Sequence, residues 1–143
     1  MKDNLFLKKV LIIDDNEIDA LVCARLIRKL KPDSLVNTFF DAKEALNHLK
    51  DTAFKFPDNL PDLIILDLYM PLMNGWFFLK EYRNIASRFD KQIVILIASS
   101  NGYDQDFKQM RNFQEINGYI GKPFTLEKMT NLINKYFAYI YQS

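Results

Sequence analysis

Three apolar runs that stop abruptly on polar residues constrain this chain more than any other feature. Val10 to Ile13 ends in Asp14 and Asp15, Leu63 to Leu66 ends in Asp67, and Ile93 to Ala98 ends in Ser99 and Ser100. Short runs without polar alternation fit strands covered on both faces, as in a parallel sheet. Leu35 to Phe40 and Tyr119 to Ile120 are shorter candidates, the second followed by Gly121, Lys122 and Pro123. Five strands are predicted.

Helical patterns fill the gaps. Ile18, Leu21, Val22, Leu26 and Leu30 form a stripe predicted to face the core, with Asn16 capping its start. Asp41 and Glu44 have the spacing of a capping box for a helix through Leu49, and Gly75 to Arg88 carries Phe78, Leu79 and Tyr82. Asp104 to Asn112 is a weaker fourth helix, and Thr125 caps a last one through Leu126, Met129, Leu132, Ile133 and Tyr136. The segment Asp51 to Pro61, with two prolines, is predicted to be an irregular loop. Strand and helix alternating in this way predict an α/β fold, a doubly wound parallel sheet with helices on both faces. No repeat, linker or second domain is visible, so residues 1–143 are predicted to form one domain with its core at about 8–139.

The balance of residue types excludes several classes of protein. With 49% hydrophobic residues, 26% charged residues and a net charge of +1, the chain can bury a core and has no electrostatic bias toward nucleic acid. Lys8, Lys9, Arg25, Arg28, Lys29 and Lys31 are offset by Asp14, Asp15, Glu17 and Asp19, which reads as solvated helix faces. The single Cys23 cannot form an internal disulfide and is expected to pack in the core. The N-terminus has no long apolar run of the kind found in a leader or membrane span, so a cytoplasmic location is the default expectation.

In an open α/β sheet, ligands bind beyond the carboxyl ends of the strands, where strand order reverses. Asp14, Asp15, Asp67, Ser99, Ser100 and Lys122 all fall at those ends. Carboxylates brought within about 4 Å repel by roughly 1 to 4 kcal/mol per pair at effective dielectrics of 80 to 20, so a compensating cation is required. Mg²⁺ suits an oxygen-only donor set and commonly binds beside phosphate, and Lys122 adds a second positive charge. Together they favour a phosphate ligand.

Four motifs stand in order along nearly the whole chain: Ile12-Ile13-Asp14-Asp15-Asn16, Leu66-Asp67-Leu68-Tyr69-Met70-Pro71 with Asn74-Gly75, Ser99-Ser100, and Gly118-Tyr119-Ile120-Gly121-Lys122-Pro123-Phe124. This constellation resembles the receiver domains of two-component response regulators, in their single-domain, chemotaxis-type or phytochrome-associated-like form. The resemblance implies a flavodoxin-like (βα)5 fold with strand order 2-1-3-4-5 and a role in a phosphorelay. Asp67 would attack a phosphohistidine, Asp15 and Asp67 would ligate Mg²⁺, Asp14 would hold the ion through water, and the main-chain carbonyl of Tyr69 would be a further ligand. No role falls to the Tyr69 side chain. Lys122 would neutralise charge, and its bond to Pro123 would be cis. Ser99, or Ser100 if helix four is spaced differently, would donate a hydroxyl hydrogen bond. Tyr119 would couple phosphorylation to a switch face on helix four, strand five and helix five.

Partners follow from the same resemblance. His48 is the only histidine and sits mid-helix, so the donor would be another protein, a histidine kinase or a phosphotransfer protein, or a small phosphodonor. Signalling would proceed by phosphorylation-dependent binding to an unknown downstream protein, with neither nucleic acid nor membrane involved. A homodimer through the last helix or through Tyr136, Phe137, Tyr139 and Tyr141 is a further expectation. Haloacid dehalogenase-type enzymes place a second Asp two residues after the nucleophile, where this chain has Tyr69, so slow self-dephosphorylation is expected rather than turnover of an external substrate. A phosphate-independent scaffold would be marked by loss of an acidic residue or of Lys122, and all are present. Trp76, Phe77 and Phe78 read as core and helix-packing residues.

Overall fold

The structure, a computed structural model, describes residues 6–70, 73–100 and 104–137, apart from the side chains of Asp104 and Gln105. Strands β1 (Lys9–Ile13), β2 (Leu35–Phe39), β3 (Leu63–Asp67), β4 (Val94–Ser99) and β5 (Ile116–Gly121) alternate with helices α1 (Glu17–Leu30), α2 (Ala42–Lys55), α3 (Gly75–Ala86), α4 (Asp104–Met110) and α5 (Leu126–Tyr136). All neighbouring strands pair parallel, in the order β2-β1-β3-β4-β5. The flavodoxin-like order implied by the motifs is therefore the observed one. The reversal point lies between β1 and β3, the strands that end in Asp14 and Asp67.

Alternation along each strand divides the core into two layers. Leu11, Ile13, Ile64, Leu66, Ile95 and Ile97 face α2 and α3, whereas Val10, Ile12, Leu63, Ile65, Val94 and Leu96 face α1 and α5. Burial on both sides explains why β1, β3 and β4 read as unbroken apolar runs. Asp62 ties the entry of this sheet together: its Oδ2 accepts 2.8 Å hydrogen bonds from the backbone N–H groups of Lys8 and Lys9.

The predicted caps form. Asn16 accepts from the Asp19 N–H, Asp41 from Lys43 and Glu44, and Thr125 from Lys128. The predicted buried stripe of α1 forms only in its second half, where Leu26 and Leu30 are partly buried against the core. Ile18, Leu21 and Val22 are 73%, 48% and 38% exposed, while Ala20, Cys23, Ala24 and Ile27 face the sheet. Both sets recur at helical period, and only the docking side distinguishes them.

Further corrections concern element ends. The stretch predicted as a loop from Asp51 begins as helix: α2 runs on to Lys55, with Thr52 buried and an Asp51–Lys55 ion pair at 3.2 Å, before Pro57 opens a short 3₁₀ turn to Asn59. Strand β5 starts three residues before Tyr119 because the register shifts at Asn117, whose side-chain Oδ1 accepts the Ile95 N–H at 2.9 Å in place of a backbone carbonyl. Trp76 and Phe78 are buried as predicted, but Phe77 is half exposed. His48 lies within α2, half-buried, with its ring centroid 5.0 Å from that of Phe39.

Candidate phosphoryl site

Each acidic residue of the site is set by the strand it ends. The Asp14 N–H donates to the Phe39 carbonyl at 3.0 Å, continuing the sheet one residue beyond β1, and Asp14 Oδ1 accepts the Asn16 N–H at 2.9 Å as the chain turns into α1. Asp15 follows and is exposed. Asp67 ends β3 with Oδ1 accepting the Tyr69 N–H at 3.2 Å. The Leu68 N–H donates to the Ala98 carbonyl at 3.1 Å, and the Gly75 N–H donates to the Leu68 carbonyl at 2.8 Å, which draws the start of α3 against the end of β3. A Cβ at position 75 would stand 2.8 Å from Leu68 Cα and 2.9 Å from the Asp67 carbonyl oxygen, so the close approach requires glycine there.

Lys122 enters from the opposite edge. Its N–H donates to the Ser99 carbonyl at 2.8 Å, and its peptide bond to Pro123 is cis. The ammonium Nζ lies 2.9 Å from Asp14 Oδ2, 2.9 Å from Asp19 Oδ2 and 3.5 Å from Asp67 Oδ2. Carboxylate oxygens of Asp14, Asp15 and Asp67 all come within 4.8 Å of one another. A cleft of about 360 Å³ opens over them, lined by Asp15, Asp19, Asp67, Tyr69, Ser100 and Lys122. A larger cavity of about 520 Å³ between β1, β2 and α2 shares no lining residue with it.

The electrostatics follow from burial and crowding. Burial raises the Asp67 pKa, the Asp14 charge raises it further, and Lys122 with the Tyr69 N–H pulls it back, leaving it at about 7. Burial opposes the charge on Lys122, but hydrogen bonds to Asp14 and Asp19 and the attraction of Asp14 and Asp67 outweigh it, so the ammonium is held more firmly than in an ordinary lysine. A site with this carboxylate excess suits a hard divalent cation, since the donors it offers are all oxygen.

The structure therefore brings Asp14, Asp15, Asp67 and Lys122 together as the sequence predicts. Ser99 is fully buried at the end of β4, whereas Ser100 is the serine that lines the cleft. Tyr119 packs edge-to-face on Phe107 of α4 with ring centroids 5.0 Å apart, and its hydroxyl donates to the Ser99 carbonyl at 3.4 Å. Of the tail aromatics, Tyr136 donates to the Asn117 carbonyl at 2.6 Å and Phe137 is buried, while Tyr139 and Tyr141 lie outside the described residues, as do Pro71 of the Met-Pro motif and Leu72. Sequence reasoning missed Asp19, which was read as a solvated helix charge although it sits one helical turn beyond Asp15. It also missed the Tyr69 side chain, which lines the cleft and donates to Asp106 Oδ1 at 2.5 Å. Nothing local in the sequence marks that pair.

Residues 10–134, most of the chain, match the family described as the response regulator receiver domain. The chain belongs to this family. As a receiver it serves as a phosphoacceptor in two-component signalling, the role for which its acidic cluster is suited. It is 29% identical over 128 residues to the chemotaxis protein CheY of Bacillus subtilis, covering 89% of this chain and 95% of that one. The fold matches a two-component response regulator from Cytophaga hutchinsonii with a TM-score of 0.80 at 23% identity, over 91% and 96% of the two chains. It also matches the receiver domain of a sensor histidine kinase from Pseudomonas aeruginosa, described with a magnesium ion coordinated in its active-site cleft, with a TM-score of 0.70 at 20% identity over 90% and 96%. Against other curated relatives the receiver spans from 6% to 53% of their length. None of its helices, among the described residues, is long and apolar enough to cross a membrane.

Proposed function

We propose that Asp67 is the phosphoacceptor of this receiver and that Asp14, Asp15, Asp67 and the main-chain carbonyl of Tyr69 hold Mg²⁺, with Asp14 acting through water. The observation that carries this reading is the convergence of three carboxylates within 4.8 Å under a cleft that also receives Lys122. An Asp67 oxygen forms the new bond to phosphorus as the P–N bond of a phosphohistidine breaks, and the imidazole nitrogen leaves with the electron pair and takes up a proton. Bound Mg²⁺ would supply charge neutralisation for the transferring group. Lys122 supplies a second positive charge, and the cleft walls align the reactants, which is most of what phosphoryl transfer asks of a protein.

Ser99 donates a hydroxyl hydrogen bond to the phosphoryl group in this reading. Ser100 is a specific second choice, because it lines the cleft while Ser99 lies beneath it. Tyr119, resting on Phe107, transmits the change to α4, β5 and α5, where an unidentified downstream protein binds. The donor is a histidine kinase or a phosphotransfer protein in the cytoplasm. The apolar side chains of Ile18, Leu21 and Val22, exposed on α1 just beyond Asp15, support a protein donor docking beside the site. Self-dephosphorylation is slow, since no carboxylate follows Asp67 two residues on.

The test is intact-protein mass after incubation with acetyl phosphate and Mg²⁺, beside chelator and Asp67→Asn controls. One phosphoryl adduct, labile to hydroxylamine and absent from both controls, is expected. An adduct that survives Asp67→Asn would place the acceptor elsewhere.

A further inference from the structure

Lys122 already has three carboxylate neighbours before any phosphoryl group arrives. Its ammonium has three N–H donors, and Asp14, Asp19 and Asp67 stand at 2.9, 2.9 and 3.5 Å to receive them. A phosphoryl oxygen can engage this lysine only by taking over one of those places. Asp14 is poorly placed to yield: its side chain is buried, so water cannot readily replace the lysine, and its Oδ1 is committed to the Asn16 N–H. Asp67 is the group to which the phosphoryl becomes attached. Asp19 differs from both. It lies in the first turn of α1 and its side chain is 32% exposed, so water can replace the lysine when the pair opens.

We propose that Asp19 is a positioning residue for phosphoryl binding: it competes for Lys122, which stays 3.5 Å from Asp67 but 2.9 Å from Asp19 in the unmodified receiver, and it is the partner exchanged for the phosphoryl group. The role rests on the assignment of Asp67 as phosphoacceptor. It makes Asp19 oppose the two ligands of the site in opposite ways. Its charge adds to the attraction for a divalent cation, and by sharing Lys122 it leaves the lysine's contact with Asp67 the longest of the three, at 3.5 Å, where a cation competes for that carboxylate most easily. Toward the phosphoryl group it is a competitor for Lys122.

Removing Asp19 should therefore split the two affinities. Calorimetric titration of Mg²⁺ into the Asp19→Asn receiver should give a Kd raised about 2- to 5-fold, while beryllofluoride, a phosphoryl mimic, titrated at saturating Mg²⁺ should bind about 2- to 5-fold more tightly, the size expected for one partly exposed ion pair. Asp19→Ala serves as a second variant, because an Asn amide oxygen can still accept from Lys122. In a Lys122→Ala background, Asp19→Asn should no longer tighten beryllofluoride binding. Loss of affinity for both ligands, no change in either, or tightening that persists without Lys122 would overturn the role, since general loosening of the site weakens both together. Failure of the wild-type receiver to bind beryllofluoride with Mg²⁺ would overturn the phosphoryl site itself, and this role with it.

Discussion

The hydroxyl of Tyr69 donates a 2.5 Å hydrogen bond to Oδ1 of Asp106, joining the loop that follows Asp67 to helix α4. Asp106 is 5% exposed, and its Oδ2 finds no partner among the described residues, so the carboxylate leans on this one donor. Tyr69→Phe should destabilise the fold by about 1 to 3 kcal/mol, the range for stranding a buried acceptor. Urea unfolding measures it. A double-mutant cycle with Asp106→Ala should recover part of the loss, because the second change removes the stranded group. Additive losses would show that the two side chains act independently.

The pKa of Asp67 gives the metal-free protein a recognisable pH dependence. The folded value is raised from 3.8 to about 7, chiefly by burial, so between these values the folded chain holds a proton that the unfolded chain has released. A carboxylate raised in this direction favours folding at low pH and costs stability as pH rises through the window. Asp67→Asn should match wild type near pH 4 and become the more stable of the two by pH 8. Solvent screening at the open cleft keeps the gap below the roughly 4 kcal/mol that about 1.4 kcal/mol per unit of pKa would give. Adding Mg²⁺ should narrow the gap at pH 8. A difference that does not vary with pH, measured by thermal unfolding with chelator present, would contradict the raised value.

Gly75 controls how closely α3 approaches the end of β3, where Asp67 stands. In Gly75→Ala the added methyl meets backbone atoms of Leu68 and Asp67, which are not flexible side-chain ends that can swing aside. Overpacking of this kind costs about 1 to 3 kcal/mol, against at most about 1 kcal/mol gained from alanine's helix propensity. A net loss of stability is expected, with weaker Mg²⁺ binding as Asp67 is displaced. Unfolding curves and metal titrations test the two effects separately.

Cys23 should be inert in the native protein. Burial, reinforced by the nearby Asp14 charge, pushes its thiol up to about 12, so almost none is thiolate at neutral pH. An aromatic disulfide reagent at pH 8 should not label the folded receiver and should label it fully in denaturant. Rapid native labelling would mean that α1 opens.

Much of the fold was legible because its signals are local. Strands sealed on both faces must be apolar along their whole length, and Asn16, Asp41 and Thr125 cap helices through bonds that reach only two or three residues. The misreadings share a cause. For α1, two stripes of equal period competed, and the one with Ala20, Cys23 and Ala24 docks because small side chains let a helix lie close to the sheet. For β5, the bulge at Asn117 hid the first half of the strand, since the side chain that replaces a backbone acceptor reads as an ordinary polar interruption.

The sequence by itself determined that acidic and hydroxyl residues would stand at strand ends, with a lysine beyond the last strand, because chain order and strand boundaries dictate those places. Only the tertiary structure decided how far apart these groups lie and which others join them. Lys122 reaches Asp19 across 103 residues and Tyr69 reaches Asp106 across 37, and such distances depend on how the helices dock on the finished sheet. Charge balance in the cleft is a property of that docking, which no stretch of neighbouring residues encodes.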